Sequence, residues 1–157
     1  MREVQSTDPD AEAGHLWTQM DGPLQEQCRA ALLQLFERET NADVQHRIAD
    51  AVAEVARIQS EYGEWPELLS LLFGAAQANH SEGLLMSLMR VLAAVPEIIE
   101  NRPQDIGTVS LVLQTCINQA SGKVRLEAIR ALVSIVYVLS DEEDGDRRMA
   151  SAVLKSF

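Results

Sequence analysis

Residues 44–55 read VQHRIADAVAEV, residues 84–95 read LLMSLMRVLAAV, and residues 124–135 read VRLEAIRALVSI. The three stretches start forty residues apart and align without a gap. Their apolar columns agree. The first position holds Val44, Leu84 and Val124, and the fifth holds Ile48, Leu88 and Ala128. The eighth and ninth hold Ala51–Val52, Val91–Leu92 and Ala131–Leu132, and the last holds Val55, Val95 and Ile135. Steps of four, three, one and three residues gather these positions on one side of a helix, so each stretch predicts an amphipathic helix burying the same face.

The intervening segments obey the same offset. CRAALLQLF from Cys28, LLSLLFGAA from Leu68 and TVSLVLQTC from Thr108 align Leu32 with Leu72 and Val112, and Leu33 with Phe73 and Leu113. ETNAD, NHSEG and QASGK break each unit in the middle, while SEYGEWP, ENRPQD and SDEEDGD separate the units. At the end of the first separator, Trp65–Pro66–Glu67 reads as a helix start. Proline fits the first turn because its missing N–H would be unpaired there, and a glutamate beside it suits the positive end of the helix dipole. The pattern predicts helices over 23–39, 43–59, 65–79, 83–99, 104–119, 122–139 and 145–156.

A two-helix unit of this length repeated along the chain makes an all-α protein, an α-solenoid of HEAT-type helical hairpins with about three and a half repeats. The expected units run over 23–62, 63–102 and 103–142, with a half unit at 143–157. The tetratricopeptide period is shorter, about 34 residues. Residues 1–22, with Asp8–Pro9, Gly14 and Asp21–Gly22–Pro23, read as a linker or a poorly ordered flank. Such a piece is expected to expose apolar helix faces at both ends and to self-associate through them.

Composition agrees with closely packed helices. The chain of 157 residues is 46% apolar but only 4% aromatic, so Ala, Leu and Val fill the interior. Charged residues interrupt every apolar run well short of a membrane span, and the N-terminus MREVQSTDPDAEAGH lacks the apolar stretch of a secretory signal. Cys28 and Cys116 sit in separate apolar helical patterns and read as reduced core thiols. The formal net charge of −11 disfavours direct nucleic-acid binding, which needs a surplus of Lys and Arg, and fits basic protein partners or plain solubility.

Nothing in the sequence carries catalysis, and no cofactor is expected. The eight glycines are scattered at turns rather than gathered in a phosphate-binding loop. His15, His46 and His80 lie in different elements without cysteine or carboxylate at ligand spacing. The acidic string Asp141–Glu142–Glu143–Asp144–Gly145–Asp146 places glycine fifth, one residue early for a calcium-binding EF-hand loop.

What remains is surface. With residue 48 at the centre of the buried face, the opposite side of the first unit's second helix carries Asp43, His46, Asp50, Glu54 and Arg57. The equivalent positions are Gly83, Met86, Arg90, Ala94 and Glu97 in the second unit, and Lys123, Leu126, Arg130, Ser134 and Tyr137 in the third. Second helices line the concave side of such a solenoid. Asp43, His46, Asp50, Glu54, Arg57, Met86, Arg90, Lys123, Arg130 and Tyr137 are therefore the candidate protein-binding residues. The same residues also read as ordinary solvated helix surface.

ADAVAEVAR (49–57), EWPELLSLLF (64–73) and VLAAVPEII (91–99), with LLQLFERET (32–40) before them, resemble the N-terminal HEAT repeats of importin-β superfamily transport receptors. The likeness is nearest the importin-five, or karyopherin-β3, branch and is most specific at Trp65–Pro66–Glu67. It departs at the arginine early in the second helix, present as Arg125 but replaced by Gln45 and Leu85 in the other units. The resemblance implies a segment of a nuclear import receptor moving between cytoplasm and nucleus through the nuclear pore. Such a receptor carries basic cargo, is released by the GTP form of the GTPase Ran, and touches nuclear-pore Phe-Gly repeats. The competing reading is a HEAT scaffold subunit that bridges proteins without a GTPase switch.

Overall fold

A computed structural model of the protein describes residues 16–62, 65–75, 80–99, 102–141, 150–151 and 153–155. After a helical turn at 16–19 come three hairpins. Helices α1 (Gly22–Arg38) and α2 (Ala42–Tyr62) form the first, α3 (Pro66–Gly74) and α4 (Glu82–Ala94) the second, and α5 (Ile106–Ile117) and α6 (Gly122–Asp141) the third. Residues 150, 151 and 153–155 are helical as well. There is no strand among the described residues. The sequence-based expectation of an all-α solenoid holds. The end of the expected helix 65–79, the start of helix 145–156, the acidic string beyond Asp141, His15 and the turn signals at Asp8–Pro9 and Gly14 lie outside the described residues.

The helix starts repeat with the same offset as the cores. Asn41 Oδ1 accepts from the backbone N–H groups of Asp43 at 3.0 Å and Val44 at 3.2 Å. Forty residues on, Ser81 Oγ accepts from Leu84 N–H at 3.2 Å, and Ser121 Oγ lies 3.5 Å from Val124 N. A short polar side chain at each site satisfies an N–H that the first helical turn leaves without a partner. Prolines set other boundaries. Trp65, Val95 and Arg102 each precede a proline and adopt φ/ψ of −117°/81°, −137°/65° and −128°/61°. The proline ring clashes with a helical predecessor, so none of the three can continue a helix.

That clash corrects one expectation. The predicted helix 83–99 ends at Ala94, and Pro96–Ile99 turn into a separate 3-10 helix. Pro103–Asp105 make a similar turn before α5, where a helix from 104 was expected. The Pro96 turn packs against α2, α4 and α6, so the break tucks Ile99 into the core instead of prolonging α4.

Helices α2, α4 and α6 form one row, with α4 between the other two; α1 packs on α2, α5 on α6, and α3 on α5. The row is parallel and in register. Near the N-termini, Gln45 of α2 abuts Gly83 of α4, and Ser121 before α6 donates its hydroxyl to Glu82 Oε1 of α4 at 2.7 Å. Further along, Asp50 of α2 faces Arg90 of α4 at 3.9 Å, two residues at the same repeat position.

Each row helix has two apolar seams, one toward the preceding helix and one toward the following. In α4 both are closed: Leu84, Leu88 and Val91 on the first and Met89 on the second are at most 5% exposed. In α2 only the following seam is closed, through Ala49, Ala53 and Ala56. In α6 only the preceding seam is closed, through Val124, Ala128 and Ala131. The expectation that 44, 48 and 51 share the buried face of 84, 88 and 91 is thus corrected for α2. Val44 is 45% exposed, Ala51 is exposed and Ile48 half-buried, because no row helix precedes α2 among the described residues.

Candidate protein-binding surface

None of the ten candidate residues is buried: Asp43, Asp50, Arg57, Lys123, Arg130 and Tyr137 are exposed, and His46, Glu54, Met86 and Arg90 are half-buried. Asp43 stands exposed in the first turn of α2. Two turns on, Asp50 reaches across to Arg90, and the α2 row ends in an ion pair between Glu54 and Arg57. Ser60 Oγ donates to the Arg57 carbonyl at 2.7 Å, holding that last turn. His46 is half-buried, and Met86, half-buried on the middle helix α4, packs against the core rather than standing clear of it. On α6, Lys123 is exposed and Arg130 Nη1 donates to Glu127 Oε1 at 2.8 Å, while Tyr137 is 71% exposed. The row therefore grades from acidic on α2, at Asp43, Asp50 and Glu54, to basic on α6, at Lys123 and Arg130.

Gln45 and Arg125 occupy the same repeat position and do the same work. Arg125 Nη1 donates to the carbonyls of Gln119 at 2.9 Å and Ala120 at 2.8 Å, tying α6 to the turn behind α5. Gln45 Nε2 points to the Phe36 carbonyl at 3.4 Å, from within the core. The glutamine is a weaker, uncharged version of the same brace, which fits the departure noted in the sequence.

Among the described residues, no group of three or more His, Cys, Asp or Glu is placed to hold a metal ion. Burial pushes the Cys116 thiol from 9.0 up to about 11, and that thiol lies in the core, away from the row. Both cysteines are free thiols; Cys28 is half-buried rather than a core residue. A shallow apolar depression at the α1–α2 end is lined by Leu32, Val44, Ile48 and Ala51, with Asp43 and Arg47 at its rim. No helix of the described residues is long and apolar enough to cross a membrane.

The sequence reading missed Ile129 and Val133, which are 47% and 61% exposed beside Leu126 and Tyr137. The signal was present in the offset: Ala49 and Met89 occupy the position of Ile129, and Ala53 and Ala93 that of Val133. Those positions belong to the seam that only a following row helix closes.

Stacked hairpins with an in-register row define a helical-repeat protein of the α-solenoid class. Residues 40–156 match the family model described as IPO5-like, TPR repeats, and the chain belongs to this importin-five-like family. The forty-residue offset is longer than the tetratricopeptide period of about 34 residues and is of HEAT length. Importin subunit beta-3 of Saccharomyces cerevisiae is 30% identical over 117 residues, which cover 74% of this chain and 10% of that protein. No solved structure matches the chain.

Proposed function

We propose that the chain is a protein-binding segment of a nuclear import receptor, and that its row of parallel helices contacts basic cargo and the GTP form of Ran. The observation that carries this reading is the exposed acidic side of α2, with Asp43, Asp50 and Glu54 on one helix face, in a chain of the importin-five-like family. A basic partner gains most from such a face where its charges are partly desolvated, and opposite charge also speeds encounter. Arg57, Arg90 and Arg130 along the same row supply contacts for an acidic GTPase surface. Competition for one row makes the two partners mutually exclusive, a coupling free energy between sites. Phe-Gly repeats of the pore fit between the outer helices, and the parent protein cycles between cytoplasm and nucleus.

The test measures binding of Ran loaded with GTP or GDP, and of a Lys/Arg-rich peptide, by calorimetry on the chain and on its Asp50→Lys/Glu54→Lys variant. The reading expects GTP-selective Ran binding, and peptide binding that the double variant weakens roughly tenfold while helicity is unchanged. Equal binding of both nucleotide forms, or none, favours a scaffold without a GTPase switch.

A further inference from the structure

We infer that the joint between the first two hairpins is a hinge, and that the ion pair of Asp50 and Arg90 is its latch. The inference does not rest on the import reading, and the helices on both sides of the joint are among the described residues. The chain holds two joints of this kind, and they are built differently. Between the second and third hairpins, α4 packs on α6 in the row and α3 packs on α5 in the outer layer. A hydrogen bond ties the same joint, from Ser121 Oγ to Glu82 Oε1 at 2.7 Å. Between the first and second hairpins, α2 packs on α4 and on the Pro96 turn, but α1 and α3 share no comparable packing among the described residues. The hydroxyl tie has no counterpart here: Ser81 stands at the repeat position of Ser121, but Ala42 stands at that of Glu82.

Two lines of contact hold a pair of bodies at a fixed angle, whereas a single line leaves rotation about it. The seam between α2 and α4 is shallow on its α2 side. Ala49, Ala53 and Ala56 close it, so that face of α2 presents no long side chain to the grooves of α4. Across the next seam, by contrast, Met89 of α4 is fully buried. Asp50 and Arg90 sit on the row side of the first seam, 3.9 Å apart, with side chains 62% and 38% exposed. With the latch closed, the row side is drawn together and α1 is held away from α3. Release opens the row side and swings α1 toward α3, into the kind of packing that α3 and α5 already have. A pair this exposed holds weakly, shifting the balance between two arrangements by a factor of about five at most. A cation that takes Asp50, or an anion that takes Arg90, is therefore enough to release it.

The experiment reads each joint separately, from dipolar broadening between nitroxide labels. Gln27, Glu67 and Gly107 share one repeat position on α1, α3 and α5, all three are exposed, and a Cβ on Gly107 meets nothing within 4 Å. Labels on Gln27→Cys/Glu67→Cys report the first joint and labels on Glu67→Cys/Gly107→Cys the second, both in a Cys28→Ser chain whose remaining native thiol, Cys116, is buried. The first pair should give a broad distribution of separations and the second a narrow one. Asp50→Asn or Arg90→Gln should shorten the mean separation of the first pair by roughly 2 Å and leave the second unchanged. Higher salt should act in the same direction, because it screens the latch. The reversed pair Asp50→Arg/Arg90→Asp should restore the original separation, and circular dichroism should report unchanged helicity throughout. Four results overturn the inference: equally narrow distributions at both joints, a first pair that ignores both single substitutions, a second pair that moves with the first, or a reversed pair that restores nothing.

Discussion

Gly83 shows how closely neighbouring row helices approach. A Cβ on this residue would lie 2.5 Å from Gln45 Oε1, a contact that forces the glutamine aside. Gln45 is 3% exposed and directs its amide to the Phe36 carbonyl. Gly83→Ala gains up to about 1 kcal/mol of helix propensity, less in a first turn. Displacing a buried amide from its carbonyl costs about 1–3 kcal/mol, so the loss wins. Chemical denaturation should show Gly83→Ala destabilising by about 1 kcal/mol, and the penalty should vanish or reverse when Gln45→Ala is already present. Equal penalties in both backgrounds would separate the two residues. The cysteines give a second prediction. Cys116 is fully buried and its thiol is held up at about 11, whereas Cys28 is half-buried. At pH 8 the native chain should therefore expose one thiol to a disulfide reagent quickly, and both only after unfolding. Because the folded pKa exceeds the ordinary 9.0, the burial of the neutral thiol contributes stability in full below pH 9. That contribution is lost as pH rises from about 9 through about 11, which unfolding at stepped pH would detect by comparison with Cys116→Ala.

At the scale of the helix, the two-seam arrangement separates residues that the sequence makes look alike. Ile48 and Leu88 occupy one repeat column, yet Leu88 is fully buried in the seam that α4 makes with α2, while Ile48 is half-buried beside the shallow end depression. Leu88→Ala should cost about 2–5 kcal/mol through lost transfer energy and the cavity left behind. Ile48→Ala should cost clearly less, because solvent already reaches the site, and urea unfolding of the two variants compares them directly. Similar losses would mean that the first seam is closed after all. The helices themselves were legible because apolar residues recur at helical spacing on a constant offset, a signal that local physics and packing both reinforce. Three things were not. The stop at Ala94 needed the restriction that Pro96 places on Val95 to outweigh the apolar pair Ile98–Ile99 that follows. The exposure of Val44 needed knowledge of neighbours, since a column of valine and leucine reads identically whether or not a helix covers it. Ile129 and Val133 were missed for the same reason, reversed: one face was counted as buried, and the second seam, closed by alanines at 49 and 53, gave too weak an apolar signal to register. The exposure of Asp43, Asp50, Arg57, Lys123 and Arg130 was readable because charged residues at helical spacing opposite an apolar column have nowhere else to point, whereas Met86 of the same column packs against the core.

For the molecule as a whole, two apolar faces of the described helices stay uncovered, and they differ in kind. One is the single-helix stripe of Ile129 and Val133 on α6, 47% and 61% exposed. The α1–α2 end offers a face two helices wide, with Leu24 and Leu35 45% and 57% exposed on α1 and Val44 45% exposed on α2, joined by half-buried Cys28, Leu32 and Ile48. Apolar area shared across two helices is the kind that pairs with a copy of itself, because flat stripes from each helix can pack against their counterparts. Opposing this, every chain carries a net charge of −11, so association brings like charges together. The balance should shift with ionic strength. Salt screens repulsion over about 10 Å at 0.1 M and leaves apolar contact intact, so self-association through this end should strengthen as salt rises. Sedimentation velocity across a concentration series should show the wild-type chain growing in mass, more so in high salt, and Leu35→Glu/Val44→Glu remaining a monomer. Both substituted side chains are exposed, so the variant's own stability should stay within about 0.5 kcal/mol of wild type. A chain that stays monomeric at every concentration and salt level would mean that its net charge outweighs the uncovered face.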